Sequence, residues 1–411
     1  MRKRYIYHFL IALGAIGALY FSFGSTISQG EPDLAIAKKV EKKKDTAVHI
    51  VKVKDTAIAL SAIEQCEEYR IDSFFNRLSK LQRFNGNVLV AHDGKVLYQQ
   101  CFGVTDFKHK NPLTDSSEFQ LGSVSKQFTS VAIMMLKEQG KLDYSDSVQK
   151  FFPAFPYKGV TVEMLLDHRS GLPNYMYLCS SLCKTEDQMV DNMQVVNLLC
   201  EHKPQRYFAP DKRFNYSNTN YCVLAAIVEQ VSGVKFSDFM RKNVFKPLGM
   251  NHTFIYDKTD TVIPNRVTGY NANYKKSGID FLDGVAGDKG VYSTTGDLLK
   301  WDQALYTDKL LKQSTLYVAY QPHGRWLNMH NYGFGWWLAY YNKDILVYHD
   351  GWWHGFNCAF LRDIKGHNTI IVLSNHVNWC INQSRELLTL LRTAADSEDE
   401  KTTASVKLFK K

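Results

Sequence analysis

The stretch "FQLGSVSKQFTSVAIMMLKEQG", residues 119–140, places Ser123 three positions before Lys126, at the start of a run with helical length and composition. Gly122 permits a tight turn before the serine, and Gly140 is a suitable residue to end the helix. Positions three apart share one face of a helix, so the hydroxyl and the amine are expected to lie together. The serine then either acts as a nucleophile with the amine as its base or simply caps the helix N-terminus.

The serine-to-lysine spacing identifies no site by itself, because it occurs four times, starting at Ser123, Ser147, Ser181 and Ser232. Ser147 lies in a polar segment that contains aspartates, Ser181 lies between two cysteines, and Ser232 lies at a helix end before a glycine. We expect structural roles for these three.

The two ends of the chain both carry strand patterns. Residues 84–104, "FNGNVLVAHDGKVLYQQCFGV", predict a β-hairpin with its turn at Asp93 and Gly94. Residues 295–306 predict a helix, and four strand-like runs follow within residues 333–375.

The middle of the chain differs, because helical patterns and irregular loops dominate residues 160–250 and a last helix is predicted at 382–395. This order indicates an α+β fold, with one antiparallel sheet built from both chain ends and flanked by helices. A mainly helical second subdomain is expected at about residues 156–285.

The N-terminus carries Arg2, Lys3 and Arg4 ahead of an uncharged run at residues 5–23. Such a run is long enough to span a hydrocarbon layer of about 30 Å. Positive charge before the run predicts that the chain beyond it is exported, on either an uncleaved membrane anchor or a cleaved signal peptide. We therefore predict four parts: an anchor or signal peptide at 1–25, a Lys-rich linker at 26–60, a large globular domain at 61–395 and a charged tail at 396–411.

Charge argues against nucleic-acid binding. The net charge of the 411 residues is +9, and residues 1–55 supply much of it, with ten Lys or Arg against five Asp or Glu. The remaining positive charge is spread over too many residues to indicate a nucleic-acid-binding surface. The Lys-rich linker is either a spacer or a segment attracted to anionic lipid or wall polymer.

All eight cysteines would lie in the exported domain, and disulfides are permitted outside the cytoplasm. Their pairing cannot be read from the sequence. Cys179 and Cys183 could form a local bridge, whereas Cys222 and Cys358 have the surroundings of small core residues. The sequence contains neither a CxxC pair nor an HExxH helix, so zinc is not expected.

A second patch, "NYSN" at residues 215–218, brings Tyr216 and Asn218 to the same side of an extended segment. A phenol can carry a proton, and a carboxamide can both donate to and accept from a substrate amide. The structural alternative is a core aromatic followed by a helix cap.

A third patch is "YHDGWW" at residues 348–353. We expect a strand to end at His349 and a second to start near Phe356, with Gly351 leaving room for the backbone of a ligand along this edge. The alternative is a histidine that caps a hairpin beside tryptophans. Strand alternation predicts that about half of the four tryptophans at 336, 337, 352 and 353 face the core.

The order SxxK, YxN and HxG, on a hairpin, a helical insert and a returning sheet, resembles the serine β-lactamase and penicillin-binding-protein superfamily. The closest resemblance is to the branch of class C β-lactamases, DD-carboxypeptidases and related esterases. Four further stretches fit it: "LLDHRSGLP" at 165–173, "KPLGM" at 246–250, "GVYSTTGDLLKW" at 290–301 and "YGFGW" at 332–336. The resemblance covers roughly residues 84–393.

The resemblance implies a serine hydrolase in which Ser123 is acylated and water then accepts the acyl group. Lys126 and Tyr216 would share the general acid and base work. It implies no metal and no organic cofactor.

It also implies a substrate-binding wall. Asn218 would position the substrate amide, with His349 and Gly351 on the strand opposite. The backbone N–H groups of Ser123 and Trp352 would form the oxyanion hole.

One motif departs from the pattern at two positions, because class C β-lactamases carry Lys-Thr-Gly where this chain has His349, Asp350 and Gly351. An ionised Asp350 facing the site would repel a substrate carboxylate; alternatively it points away, since its neighbours take the site face. We hypothesise that the substrate has no free carboxylate next to the scissile bond.

The expected activity is that of a DD-carboxypeptidase-like peptidase or an esterase, acting on a small molecule or a peptide such as a cell-wall peptide. The alternatives are a class C-type β-lactamase and a penicillin-binding sensor or wall-binding module without turnover. In each case the domain is expected on the periplasmic or extracytoplasmic side, held by the N-terminal helix or secreted.

Overall fold

The structure, a computed structural model, describes residues 62–81, 84–182, 189–257, 265–324, 330–341, 344–377 and Leu387. These belong to a unit that spans Ala59–Lys411. The predicted anchor, linker and tail, and the last predicted helix apart from Leu387, lie outside the described residues. Within the described ranges, no helix has both the length and the apolar character needed to cross a bilayer.

Two antiparallel sheets carry the fold. The strands are β1 Gly86–His92, β2 Lys95–Phe102, β3 Phe119–Gln120, β4 Phe254–Ile255, β5 Val291–Ser293, β6 His330–Tyr332, β7 Trp337–Tyr341, β8 Asp344–Trp353, β9 Phe356–Asp363 and β10 Asn368–Ser374. The main sheet has seven strands in the order β2-β1-β10-β9-β8-β7-β6, and the small one has the order β3-β5-β4. The main sheet therefore joins the two ends of the chain, as predicted.

Helices fill the stretch between the two halves of the main sheet and also precede it. They are α1 Ala62–Lys80, α2 Lys126–Glu138, α3 Val148–Phe151, α4 Val162–Leu166, α5 Tyr175–Leu182, α6 Asn192–His202, α7 Asn218–Ser232, α8 Phe236–Met240, α9 Thr295–Ala304 and α10 Gln313–Ala319. A 3₁₀ turn, Gly122–Ser125, leads into α2, and a π-helical turn, Arg241–Phe245, follows α8. The predicted α+β class, with helices flanking an antiparallel sheet, is confirmed.

The main sheet separates two apolar layers. Val88 and Val90 pack on one face with Phe75 of α1, whereas Leu89 and Ala91 face the helical layer. This is the period-two alternation of a strand buried on both faces. The larger layer contains α2 and α7, and most residues of both helices are buried, so the elements that carry the predicted site are packed in the core.

The predicted hairpin and helices are present. Asp93 and Gly94 both have positive φ, and they connect β1 to β2 as the two-residue turn that a hairpin with Asp-Gly favours. Helix α2 ends just before Gly140, which has a φ of +69°. Cys222 and Cys358 are fully buried, as expected of small core residues. Cys183, one half of the proposed local bridge, lies outside the described residues.

One predicted strand end is wrong. Strand β8 does not stop at His349 but continues to Trp353, because Gly351 and Trp353 still pair with Cys358 and Phe356 of β9. The reversal is a two-residue turn at 354–355, where both φ values are positive. Consequently the third patch is part of a strand inside the sheet and is not a loop at its edge.

Candidate active site

Ser123 lies in the 3₁₀ turn that enters α2, where it is half-buried. The residue at the N-cap of α2 is Ser125, and no side chain makes a capping hydrogen bond there. The Ser123 hydroxyl instead accepts a hydrogen bond from Lys126 Nζ at 3.0 Å. The capping role is therefore not the one that this serine plays.

The other serines with the same spacing have structural roles. Ser147 accepts from a backbone N–H as the N-cap of α3. Ser181 and Ser232 donate to nearby backbone carbonyls at the ends of α5 and α7. The lysines that follow Ser147 and Ser232 bond to aspartates, so the structure pairs neither serine with its lysine.

Lys126 is fully buried, and its Nζ donates to three neutral oxygens. These are Ser123 Oγ at 3.0 Å, Asn218 Oδ1 at 2.8 Å and the backbone carbonyl of Asp288 at 2.8 Å. Burial lowers the pKa of Lys126 to about 7, with Asp288 opposing that shift and Lys289 adding to it. Lys126 is thus the kind of amine that can accept a proton near neutral pH.

Tyr216 lies beside this pair. Lys126 Nζ is 4.9 Å from the centroid of the tyrosine ring, and the ring stacks on Trp337 at 5.9 Å. The Tyr216 Oη is covered from solvent and makes no hydrogen bond of normal geometry within the described residues. Burial raises the pKa of Tyr216 well above its ordinary value, although the nearby Ser123 hydroxyl opposes the shift. At neutral pH the phenol therefore keeps its proton.

His168 also packs against Tyr216, with ring centroids 4.4 Å apart. It is fully buried at a φ of +62°, and its Nδ1 accepts hydrogen bonds from Ser217 N and Asn220 Nδ2, both at 3.1 Å. Because Nδ1 accepts twice, the proton sits on Nε2. The stretch "LLDHRSGLP" pointed to this part of the chain, but nothing in it indicated that its histidine would support the tyrosine.

Two glycines let the turn of Ser123 approach β8. A Cβ on Gly122, whose φ is +52°, would lie 2.7 Å from Trp352 N. A Cβ on Gly351 would lie 1.9 Å from the carbonyl oxygen of Leu121. Gly351 is therefore needed for the approach of the protein's own backbone, and this close approach leaves the Trp352 amide next to the turn that carries Ser123. The predicted contact of Gly351 with a ligand stays a prediction.

His349 is buried behind the site, and both of its ring nitrogens are engaged. Its Nδ1 lies 2.6 Å from the Asp350 carbonyl, and its Nε2 lies 3.1 Å from Tyr332 Oη. Burial, reinforced by Lys126, lowers the pKa of His349 to about 3. Since a carbonyl only accepts, Nδ1 carries the proton and Nε2 accepts from the tyrosine. His349 is thus a neutral group without a spare donor.

Asp350 belongs to the opposite face of β8. Its neighbours Val347 and Trp353 pack in the helical layer, whereas Leu346 and Tyr348 pack in the layer of α1. By strand alternation, Asp350 shares the face of the second pair. Strand alternation thus favours the alternative in which Asp350 points away from the site, although its charge still contributes to raising the pKa of Tyr216.

A match to a known family agrees with this geometry. The model of the family described as "Beta-lactamase" matches residues 71–390. This chain belongs to the beta-lactamase family. The match extends over the main sheet, α2, α7 and every residue of the candidate site.

Relatives within the beta-lactamase family differ in name and activity. "Penicillin-binding protein 4*" of Bacillus subtilis is 35% identical over 334 residues, which are 76% of this chain and 73% of the relative. A "D-aminopeptidase" of Brucella anthropi is 26% identical over 260 residues, 60% of this chain and 49% of that protein. A solved structure described as "A class C beta-lactamase" has a TM-score of 0.68 at 20% identity, covering 80% of this chain and 96% of the other, and it shares the fold.

In this beta-lactamase family member, the structure brings Ser123, Lys126 and Asn218 into one hydrogen-bonded cluster, with Tyr216 against it. The buried ring of His349 lies 6.1 Å from the ring of Tyr216, measured between centroids, and the Trp352 side chain is 39% exposed. Trp336 and Trp353 are buried, so half of the four tryptophans face the core as predicted.

A group of potential metal ligands lies at the β8–β9 turn, where the side chains of Asp280, Asp283 and His354 converge within 4.8 Å. Burial disfavours a charged imidazole there, but the two carboxylates outweigh it and raise the pKa of His354 to about 9. The protonated ring, 3.2 Å from Asp283 and 3.5 Å from Asp280, supplies the positive charge that a cation would bring. The arrangement is that of an ion pair.

Proposed function

We propose that this protein is an exported serine hydrolase that acts through an acyl-enzyme on Ser123. The observation that carries the proposal is the buried Lys126 amine, bonded to the Ser123 hydroxyl at 3.0 Å with a pKa lowered to about 7. A serine hydroxyl needs a base to become nucleophilic, and a lysine can be that base only in its neutral form.

In the first step Lys126 is neutral and keeps two N–H donors, so the Ser123 hydroxyl donates to the lone pair of Nζ and gives up its proton there. Oγ bonds to the substrate carbonyl carbon as the carbonyl π electrons move to the oxygen. The backbone N–H groups of Ser123 and Trp352 would stabilise the resulting oxyanion. Tyr216, a protonated phenol beside both groups, would pass a proton to the leaving oxygen or nitrogen and recover one from Lys126. Water then repeats the attack on the ester and releases the acid, with Ser123 regaining its proton.

Asn218 would link the base to the substrate. Its Oδ1 accepts from Lys126 at 2.8 Å, while the partner of its Nδ2 among the residues that the structure describes is the Met176 sulfur at 3.9 Å. A thioether is a weak acceptor, so a substrate carbonyl would be the better partner for this N–H group. The amide can thereby orient the base and the substrate together.

The surroundings of His349 support a proposal for the substrate class. A carboxylate beside the scissile bond needs a donor or a positive charge on this wall, and His349 offers neither, since both ring nitrogens are occupied and its pKa is lowered to about 3. We therefore propose an ester or amide without such a carboxylate, which favours an esterase or an aminopeptidase-like activity over a DD-carboxypeptidase. The similarity to a D-aminopeptidase supports this choice.

We also propose that the domain works on the extracytoplasmic side, anchored by residues 1–25 or released after their cleavage. The charge and apolar pattern of those residues supports export. Separating membranes from the soluble fraction of producing cells, with and without residues 1–25, tests the anchor.

The test of substrate class uses a matched pair, N-acyl-D-alanyl-D-alanine and its C-terminal amide, beside a p-nitrophenyl ester and a fluorescent penicillin. Each is incubated with the protein and with Ser123→Ala. Faster turnover of the amide or ester than of the free acid, lost in Ser123→Ala, is the expected result. Preference for the free acid would overturn the substrate proposal, penicillin turnover would favour a β-lactamase, and a stable adduct would favour a sensor.

A further inference from the structure

A second buried lysine lies next to the candidate base. Lys289 is 3% exposed, and its Nζ donates to Tyr175 Oη at 2.9 Å and to the Val285 carbonyl at 3.1 Å. The same Nζ is 3.5 Å from the Asp288 carboxylate and 4.9 Å from the ring centroid of Trp353. Within the described part of the chain, Lys289 Nζ therefore lies against two hydrogen-bond acceptors, one carboxylate and one aromatic face.

Asp288 joins the two lysines. Its backbone carbonyl accepts from Lys126, whereas its carboxylate, 1% exposed, accepts from Tyr175 Oη at 3.0 Å and faces Lys289. One residue thus presents a neutral oxygen to Lys126 and its negative charge to Lys289.

The charges of this buried cluster do not balance if both lysines are ionised. Lys126 and Lys289 would carry two positive charges against the single carboxylate of Asp288. Uncompensated charge is costly in a buried site, so one lysine is driven to its neutral form. We expect the proton to be lost from Lys126, because the hydrogen bonds of its Nζ within the described ranges all go to neutral oxygens, whereas Lys289 faces the Asp288 carboxylate.

We propose that Lys289 is a positioning residue, which occupies the Asp288 carboxylate as its counter-ion and so keeps the Lys126 amine neutral and able to take the Ser123 proton. This inference rests on the role of Lys126 as base in the proposed function.

Among the described residues, the tyrosines, histidines and cysteine that lie against the two lysines and Asp288 are uncharged at neutral pH. Tyr216 and Tyr221 face Lys126 from α7 and its N-terminal side, and burial raises the pKa of each. His168 and His349 are both buried, and burial lowers the pKa of each, so both are neutral. Around Lys289 and Asp288, the buried Tyr175 and Cys222 also have raised pKa values and stay protonated.

Two substitutions should shift the titration of Lys126 in opposite directions. In Lys289→Met the Asp288 carboxylate becomes the counter-ion of Lys126, so the pKa of Lys126 rises. In Asp288→Asn the positive charge of Lys289 is left uncompensated, so the pKa of Lys126 falls. We expect a shift of about one pH unit or more in each case, because a nearby charge commonly has an effect of this size.

The double variant Asp288→Asn/Lys289→Met removes both charges and should bring the titration back towards that of the unmodified protein. Tyr175→Phe is the matched structural control, since it removes hydrogen bonds of the same network without changing a charge. It should lower the melting temperature and leave the titration of Lys126 in place.

Two measurements on the full chain test the inference. The first is the pH dependence of Ser123 acylation by a p-nitrophenyl ester. The second is the titration of Lys126 Nζ by NMR of lysine-labelled protein, with the signal assigned by its loss in Lys126→Met. Opposite shifts in the single variants and their cancellation in the double variant are the expected result. Shifts of one sign, or no shift with Ser123-dependent acylation intact, would overturn the inference and leave the proposed function standing. Acylation that survives Ser123→Ala would overturn the proposed function, while the NMR titration still decides the inference.

Discussion

Acidification should slow acylation of Ser123 in proportion to the protonation of Lys126. Because the pKa of Lys126 is lowered to about 7, about half of the molecules hold the neutral amine at that pH. Each further pH unit downward should reduce the rate about tenfold, so that at about pH 5 it is about a hundredfold below its plateau. The sign follows from the direction of the shift: a lysine with a lowered pKa is an active base above that value and an inactive ammonium below it.

The assay is single-turnover release of p-nitrophenol with enzyme in excess, followed from acidic to mildly alkaline pH. Ser123→Ala gives the background hydrolysis at each pH. Circular dichroism at each pH confirms that the fold persists, so that loss of rate can be assigned to protonation.

A rate that rises with a slope of one and levels off above about pH 7 is expected. If the rate kept rising to about pH 10, the ordinary pKa range of a lysine, the burial of Lys126 would not have made it a neutral base. A rate independent of pH would remove Lys126 from the proton transfer.

Three further changes test other parts of the site. Tyr216→Phe keeps the ring and removes the proton, so acylation should fall about 10²- to 10⁴-fold in single-turnover assays while the melting temperature changes little. Gly351→Ala places a methyl 1.9 Å from the Leu121 carbonyl and should lower both rate and melting temperature, whereas Gly278→Ala, which meets nothing within 4 Å, should change neither. Asp350→Thr should leave the ratio of rates on free-acid and amide peptides unchanged, and a clear rise for the free acid would show that Asp350 reaches the substrate.

Regular elements with strong local patterns could be predicted from the sequence. The Asp93–Gly94 turn, strands β9 and β10 and helix α9 all have the alternation, the composition or the turn residues that define such elements. Strands β3, β4 and β6 contain two or three residues each, too few for any periodicity to show. The end of β8 was missed because a histidine, an aspartate and a glycine resemble a loop, although their backbone pairs with β9.

The site could be predicted only in part, because some of its contacts leave no trace in a local pattern. Lys126 reaches the Asp288 carbonyl, 162 positions away, through a backbone atom that any residue would supply. The pairing of Lys289 with Asp288 depends on burial, which the sequence "GDKG" does not reveal. The position of Gly351 could be identified, but its close approach to the Leu121 carbonyl could not, because that contact joins residues far apart in the sequence.

The most direct test of the central claim is intact-mass measurement of the protein after reaction with a fluorescent penicillin or a reactive ester, followed by peptide mapping of the adduct. Ser232→Ala is the matched control, because Ser232 has the same spacing to a lysine but bonds to the Val234 carbonyl. One added acyl group on Ser123, absent in Ser123→Ala and Lys126→Met and retained in Ser232→Ala, is the predicted result. An adduct on any other residue would rule out Ser123 as the nucleophile, and one that forms equally well without Lys126 would rule out Lys126 as its base.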